Sequence, residues 1–190
     1  MLAAMQDPAV PTPHPERWRP SVTVAAIVCD EGTPPRYLLV EEHTPEGLKF
    51  NNPAGHLEPG ETPEQGVVRE ALEETGRHFQ PQALLGVYLS RFQRPATGED
   101  VTYLRFAYAG TVGEADPAGL GRARDEGIVA THWCTLAEVQ ALYAQHRLRS
   151  TLVLTCLQDH AAGRRLPLDA VQADTSLWQP EVKTGGTAAG

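Results

Sequence analysis

Three glutamates, Glu70, Glu73 and Glu74, lie in a segment that has the sequence pattern of a helix. At spacings of i, i+3 and i+4 they fall on one helix face, within reach of a common point. A solvated face normally interleaves Lys or Arg, because like charges at these spacings repel by roughly 0.2–0.5 kcal/mol. Here Arg69 is the only basic residue among the acids, and it can pair with only part of the cluster. The cluster therefore predicts a cation supplied from outside the chain.

The ligand types indicate which cation this is. Carboxylate oxygens are hard ligands, the segment has no Cys, and His56 and His78 lie outside the helix. Mg²⁺ or Mn²⁺ is therefore favoured over zinc. Such an ion bridges phosphate oxygens and lowers the pKa of a bound water, so the predicted chemistry is displacement at phosphorus. The alternative, common for glutamates on an amphipathic helix, is a solvated surface without a ligand.

The helix that carries these acids has clear start and stop signals. Thr62 is a good N-cap, Pro63 suits the first position, and Gln65 completes a capping box. The helix is expected to end near Thr75, because Gly76 can adopt the left-handed stop conformation. The glutamates are expected on the solvent side, opposite the buried residues Val68, Ala71 and Leu72. Glycines and prolines between 53 and 60 predict a loop before the helix, with backbone carbonyls close to the ion.

The order of residues around the cluster is also informative. Gly55 is followed after five residues by Glu61 and, after seven more, by Arg69-Glu70-Ala71-Leu72-Glu73-Glu74-Thr75-Gly76. This string resembles the signature of the Nudix hydrolases, G-x5-E-x7-R-E-U-x-E-E-x-G-U, where U is a bulky apolar residue. The resemblance implies an α+β Nudix fold, an α/β/α sandwich with a mixed β-sheet, and it adds the Gly55 carbonyl to the metal shell. Two apolar positions depart from the pattern, Ala71 being small and Arg77 basic; Phe79 is a candidate to replace the missing apolar contact.

The resemblance extends from Ser21 to Leu168 and is closest to the NudJ-type subfamily of small phosphatases. It is carried by the segments VTVAAIV, LLVEE, FNNPAGHLEPGET, TYLRFAY and LRS-LV. It implies substrates such as hydroxymethylpyrimidine pyrophosphate, thiamine pyrophosphate and nucleoside di- or triphosphates. Alternatives are a house-cleaning nucleotide pyrophosphatase and an ADP-ribose or dinucleotide pyrophosphatase. A non-catalytic ligand-binding module with the same fold is disfavoured, because such modules typically lose glutamates that this chain retains.

Roles follow for the residues of the signature. Glu70, Glu73 and Glu74 are predicted to hold the metal, with Glu70 and Glu74 as the firmest ligands. Arg69 is expected to orient a carboxylate and Glu61 to brace Arg69, although a plain ion pair at the helix end is an equally good interpretation. The general base is either Glu73, beside the metal, or an acid from a loop outside the signature. Among the loop acids, the pair Asp125-Glu126 is the best placed, and Glu126 is the candidate chosen.

Candidate substrate contacts lie mainly in the segment TYLRFAY. Arg105 suits a phosphate, and Tyr103, Phe106 or Tyr108 suits a planar base, with a place in the core as the alternative for the aromatics. Strand alternation places Tyr103 and Arg105 on one face and the other two aromatics on the opposite face. From the resemblance, Asn52 and His56 are two further pocket-lining positions.

The rest of the chain fits one domain. Apolar and β-branched runs predict strands at 22–29, 37–41, 84–89, 102–109 and 128–133, and helices are predicted at 136–146 and 150–162. The helix at 136–146 begins with another capping box, formed by Thr135 and Glu138. Domain bounds are expected at 20–170, between an N-terminal tail at 1–19 and a C-terminal tail at 171–190.

Composition limits the class of protein and its partners. The net charge of −8 and the absence of a basic stripe argue against a long nucleic acid and for a small phosphorylated substrate. The sequence shows neither a signal segment nor a run long and apolar enough to span a bilayer, so a cytoplasmic protein without membrane contact, a monomer or homodimer, is expected. Cys29, Cys134 and Cys156 are few and widely spaced, which predicts free buried thiols.

Overall fold

The computed structural model describes residues 18–94, 97–114 and 127–180. Its first four strands precede the first helix, three more strands follow, and two helices come after them. The strands are β1 Ser21–Val28, β2 Arg36–Thr44, β3 Gly47–Asn51, β4 Ala54–His56, β5 Phe79–Gln93, β6 Asp100–Val112 and β7 Ile128–Thr135. The helices are α1 Pro63–Thr75, α2 Leu136–Ala144 and α3 Thr151–Ala161, followed by two 3₁₀ turns, Leu168–Ala170 and Thr175–Leu177.

The strands form two sheets. The first has four strands in the order β4-β1-β6-β5. It is mixed, since β1 runs parallel to β6 while β4 and β5 pair antiparallel with their neighbours. The second sheet has three antiparallel strands in the order β3-β2-β7. The α+β class and the mixed sheet are therefore confirmed.

Two apolar cores lie against the helices. Val67 and Ala71 of α1 pack with Val24, Ala26 and Tyr108 on one side. Val153 and Leu157 of α3 pack on the other side with alternate residues of the same strands. Because neighbouring residues of a strand point to opposite faces, β1 supplies Val24 and Ala26 to one core and Ala25 and Ile27 to the other. This double burial explains why β1 is a continuous apolar run.

Two strands were not predicted. β3 is short and half exposed, so its sequence lacks a strong pattern. The prediction that residues 53–60 form only a loop is wrong at β4, whose Gly55 pairs with Val24 of β1. The pairing is continued by a hydrogen bond from the Leu57 N–H to the Val22 carbonyl at 3.0 Å. Pairing with β1, rather than local β propensity, makes this segment extended.

The helix boundaries follow the local signals closely. α1 has the complete Thr62–Gln65 capping box and ends at Gly76, whose φ of 66° is left-handed. α2 starts with the predicted capping box at Thr135 but ends at Ala144, before His146 with its φ of 56°. Phe79 is 3% exposed and packs in the α1 core, where it supplies the apolar contact that Arg77 does not.

Some predictions concern the ends of the chain. Residues 1–17 and 181–190 lie outside the described part, so the predicted tails and domain bounds stay predictions. Within it, Val171 packs against the α1 core. No helix in 18–94, 97–114 or 127–180 is long and apolar enough to cross a membrane. Cys29, Cys134 and Cys156 are free thiols, and only Cys156 is fully buried.

Candidate active site

Helix α1 turns two of the three glutamates inward. Glu70 is 5% and Glu74 is 7% exposed, whereas the side chain of Glu73 is 42% exposed. The expectation that all three face solvent is wrong for Glu70 and Glu74, which lie on the same side as Val67 and Ala71. Val68 and Leu72, expected on the buried side of the helix, are half-buried. The helix presents its carboxylates to the edge of the sheet because β4 lies beside them.

Arg69 is the centre of the carboxylate cluster. Its Nη1 donates to Glu70 Oε1 at 2.8 Å and to Glu73 Oε2 at 2.9 Å. Its Nε and Nη2 donate to the two oxygens of Glu61 at 3.1 and 2.8 Å, and Nη2 also donates to the His56 carbonyl at 3.0 Å. One guanidinium thus joins the loop, the strand β4 and two positions of α1.

The hydrogen bonds of this cluster shift its ionisation. Donation from Arg69 lowers the pKa of Glu61. The hydrogen bond to Glu61, assisted by Glu70 and Glu73, raises the pKa of Arg69. Glu61 and Arg69 are therefore both charged at neutral pH, as a bidentate guanidinium–carboxylate contact requires.

The backbone of β4 lies directly against the two inward carboxylates. A Cβ added to Gly55 would lie 2.2 Å from the carboxyl group of Glu70, so only glycine leaves room for that side chain. The Ala54 N–H donates to Glu74 Oε2 at 2.8 Å. The spacing of Gly55 and Glu70 in the sequence thus corresponds to a close contact in the fold.

The acidic side chains of the cluster do not converge on one point. In the described part of the chain, no three His, Cys, Asp or Glu side chains stand where they would hold a metal ion. Arg69 draws Glu70 and Glu73 toward itself, while Glu74 is held by Ala54. The donor chemistry nevertheless fits a hard divalent cation: two nearly buried carboxylates, a third at the surface and the backbone of a glycine in contact with one of them.

A second group of polar residues crosses the four-stranded sheet on the face opposite α1. Thr23 of β1 pairs with His56 of β4 and with Arg105 of β6, and Arg105 pairs with Tyr88 of β5. Tyr88 donates from its hydroxyl to Asp159 Oδ2 of α3 at 2.8 Å. We call the four residues His56, Thr23, Arg105 and Tyr88 the polar row. Thr23 and Tyr88 were not found from the sequence, because only the strand register shows that they lie beside Arg105.

Arg105 is the buried charge of the polar row. It is 8% exposed, and this burial lowers its pKa, while Glu74 and Glu42 are among the groups that oppose the shift. Its Nε and Nη1 have no hydrogen-bond partner among the residues that the structure describes. Asn52 is fully buried, and neither amide atom of its side chain has a partner there. Two predicted substrate contacts are thus buried with unused hydrogen-bonding capacity.

The aromatic candidates divide between the two faces as alternation predicted. Tyr103 lies on the face of Arg105, with its ring centroid 5.9 Å from that of His56 and 5.7 Å from that of Phe92. Phe106 and Tyr108 pack in the core beside α1, so the core interpretation is correct for these two. Phe92, which the sequence did not single out, is 42% exposed and extends the row of rings.

Of the two candidates for the general base, the structure describes only Glu73. Asp125 and Glu126 lie outside the described residues, whereas Glu73 lies in the cluster beside Arg69. Both candidates for the base therefore stay predictions.

Known proteins resemble this chain in sequence and in fold. Residues 19–154 match the family model of the NUDIX domain. Phosphatase NudJ of Escherichia coli strain K12 is 33% identical over 154 residues, which cover 81% of this chain and 92% of NudJ. A NUDIX hydrolase from Nitrosomonas europaea is 44% identical and superimposes with a TM-score of 0.69, covering 82% of this chain and 98% of that one. A MutT protein from Methanosarcina mazei Go1, 19% identical with a TM-score of 0.57 over 79% of this chain and all of its own, shares the fold alone.

The glutamates of α1, the glycine of β4 that makes room for one of them, and the match over most of the chain agree with one another. The chain therefore belongs to the Nudix family and is a hydrolase.

Proposed function

We propose that this hydrolase is a Mg²⁺-dependent phosphatase, with Mn²⁺ as a substitute, that releases orthophosphate from small pyrophosphates and nucleotides. The observation that carries the proposal is the contact of Glu70 with Gly55. Glu74 lies beside this contact, held by the Ala54 N–H. Arg69, which we call the hub because it donates to Glu61, Glu70 and Glu73, also binds Glu70. Two nearly buried carboxylates thus lie against the backbone of β4, the strand that precedes α1.

Glu70 and Glu74 would hold the metal most firmly, with Glu73 and the Gly55 carbonyl as further ligands. When bound, the ion polarises phosphate oxygens and lowers the pKa of a coordinated water. Arg69 positions Glu70 and Glu73 by hydrogen bonds, and Glu61 fixes two of the guanidinium nitrogens. Such partners of metal ligands set the orientation of the carboxylates.

The attacking water needs a base. Glu73 is one candidate, since its side chain is 42% exposed and its Oε2 accepts from Arg69 Nη1 at 2.9 Å. Glu126 is the other candidate, and it lies outside the signature in the sequence. A base within hydrogen-bond reach of the water contributes roughly 10² to 10⁴ in rate.

The polar row supplies the substrate side. Arg105 offers a buried positive charge to a phosphate, and its electrostatic interaction with Glu74 places it near the proposed metal ligands. Tyr103 and His56 offer rings to a planar group at the open end of the row. Asn52 provides a donor and an acceptor that the described residues leave unused.

The proposed substrates are hydroxymethylpyrimidine pyrophosphate, thiamine pyrophosphate and nucleoside diphosphates, each converted to the monophosphate and orthophosphate. The similarity to Phosphatase NudJ supports a phosphatase over a pyrophosphatase. The net charge of −8 favours a short phosphate chain screened by the metal over a long polyanion. Capped dinucleotides are expected to be poor substrates, and the enzyme is proposed to work in the cytoplasm.

Glu74→Gln tests the metal assignment. The amide oxygen of Gln can still accept from the Ala54 N–H, so the fold should survive, while the negative ligand is lost. We expect Mn²⁺ affinity and turnover to fall sharply, with an unchanged circular dichroism spectrum. The control is Glu64→Gln, which changes an exposed acid in the first turn of α1 and should behave as wild type. Near-normal turnover of the Glu74 variant at limiting Mg²⁺ would contradict the assignment.

A substrate panel tests the product. It should include the proposed substrates, nucleoside triphosphates, ADP-ribose and dinucleotides, with orthophosphate and pyrophosphate measured separately. Fastest cleavage of ADP-ribose or dinucleotides, or pyrophosphate as the main product from triphosphates, would overturn the phosphatase proposal and leave the family membership intact.

A further inference from the structure

Several buried polar atoms near Arg105 have no hydrogen-bond partner in the described part of the chain. They are Thr23 Oγ1, Glu42 Oε1, Asn51 Oδ1, both amide atoms of Asn52, and Nε and Nη1 of Arg105. A buried polar group without a hydrogen-bond partner is destabilising, and native proteins keep few of them. A set that includes one buried charge points to a ligand that completes their hydrogen bonds.

Four strands, β1, β2, β3 and β6, contribute these residues, and Asn52 directly follows β3. Thr23 and Arg105 are partners in the register of β1 and β6. Glu42 lies on β2 after an irregularity in the pairing with β7, and Asn51 lies at the end of β3. The charges of Glu42 and Arg105 act on each other, so the polar row and the second sheet face a shared space.

The chemical character of the set limits what the ligand is. Arg105 and the Asn52 amide nitrogen donate, whereas Glu42 and the Asn51 and Asn52 amide oxygens accept. A second phosphate, which only accepts at neutral pH, would meet the negative Glu42 and the two amide oxygens and gain nothing from them. With Arg105 assigned to the phosphate of the substrate, the remaining atoms of the set suit an uncharged group whose edge both donates and accepts, as a nitrogen heterocycle does. The rings of Tyr103 and His56, on the face of Arg105, fit a planar group.

Among these acceptors, Glu42 discriminates most strongly between a ligand N–H and a ligand carbonyl. Its side chain is 19% exposed, and the nearest cation, Arg149 Nε, lies 3.7 Å from Oε1, beyond hydrogen-bond distance. Burial raises the pKa of Glu42, while Arg149, a hydrogen bond with Asn51 and Arg105 oppose the rise. An ionised carboxylate only accepts hydrogen bonds, so it favours a ligand N–H and disfavours a carbonyl oxygen at the same place.

We propose that Glu42 is a specificity-determining residue that accepts a hydrogen bond from the amino group of a substrate heterocycle, so that aminopyrimidines are preferred over their keto counterparts. This inference rests on the proposed function, since it assigns the non-phosphate end of the same substrate. It also gives Asn51 a role, because Asn51 holds Glu42 from the neighbouring strand.

The test compares CMP with UMP, which differ in the amino or carbonyl group at C4 of the ring and in N3, an acceptor in cytosine and an N–H donor in uracil. Both are titrated calorimetrically into the full chain without metal, so that the result does not depend on turnover. We expect CMP to bind roughly tenfold more tightly than UMP, the value of one charge-assisted hydrogen bond. In Glu42→Gln the preference should vanish or reverse, because the amide can donate to the carbonyl of uracil. Glu46→Gln, a 67% exposed acid in the adjoining turn, should keep the wild-type ratio.

A second variant guards against misfolding. If Glu42→Gln does not fold, Glu42→Asp is used instead. Asp keeps the negative charge but its shorter side chain moves the carboxylate away from the ligand. The ratio of the affinities for CMP and UMP should therefore fall toward one. Equal affinity of the wild type for the two nucleotides, no measurable binding of either, or an unchanged ratio in the folded Glu42 variants would overturn the inference. The proposed function fails separately: absence of phosphate release from every pyrophosphate, with a Glu42-dependent preference for CMP, would remove the reaction and leave the specificity.

Discussion

Gly55→Ala should separate the function of this protein from its stability. Gly55 does not have a left-handed φ, so alanine is not strained by the backbone at this position. The added Cβ, however, would lie 2.2 Å from Cδ and from both oxygens of Glu70, where ordinary contact begins at 3.4 Å. β4 is paired with β1 at this residue and cannot move away freely. The carboxylate of Glu70 must therefore retreat by about 1 Å.

The two consequences differ in size. A glutamate side chain can swing aside, so the free energy of unfolding should fall by only about 1–2 kcal/mol, typical of a small overpacking. A catalytic group displaced by about 1 Å typically costs roughly 10² in rate. We therefore expect turnover and Mn²⁺ affinity to drop about a hundredfold in a protein that remains folded.

Urea denaturation, Mn²⁺ titration and phosphate release measure the three quantities. Gly113→Ala is the matched control, because a Cβ there meets nothing within 4 Å. Turnover of Gly55→Ala within about threefold of wild type, with unchanged Mn²⁺ affinity, would refute the role assigned to the contact of Gly55 with Glu70.

Three further predictions concern Arg69, the base and a half-buried histidine. Arg69→Lys cannot reach all three carboxylate partners at once, so the free energy of unfolding measured in urea should fall by about 1–3 kcal/mol, and an unchanged midpoint would contradict the hub. Glu126→Gln should cut turnover by roughly 10² to 10⁴ with little change in metal affinity, and a loss below about threefold would give the role to Glu73. His160 accepts from Arg165 at 2.6 Å, and burial, with the Arg165 charge, lowers its pKa from 6.5 to about 4. Because the unfolded chain then binds a proton that the folded chain does not, stability should fall as the pH drops from about 6.5 toward about 4. Thermal midpoints of His160→Gln should lose this dependence; parallel pH curves for the two proteins would count against it.

Local chemistry in the sequence was sufficient for α1 and its boundaries. The capping box at Thr62 and the left-handed Gly76 satisfy backbone groups within a few residues, so they need no tertiary partner. The spacing of the glutamates likewise defines their positions around the helix. The expected solvent side was wrong because the direction of a helix face depends on what packs against it, and β4 lies beside Glu70 and Glu74.

Which residues lie beside Arg105 was decided only by the tertiary structure. Arg105 was found as a candidate from its type and alternation, but Thr23 and Tyr88 became its neighbours through strand pairing across long separations in the chain. A one-residue change of register would turn Thr23 into the core of the opposite face, and no local signal specifies that register. The sequence by itself determined the helix that carries the acids and the spacing of those acids. The sheet, by its pairing, determined which groups face them, because hydrogen bonds between distant strands are set by the global packing of both cores.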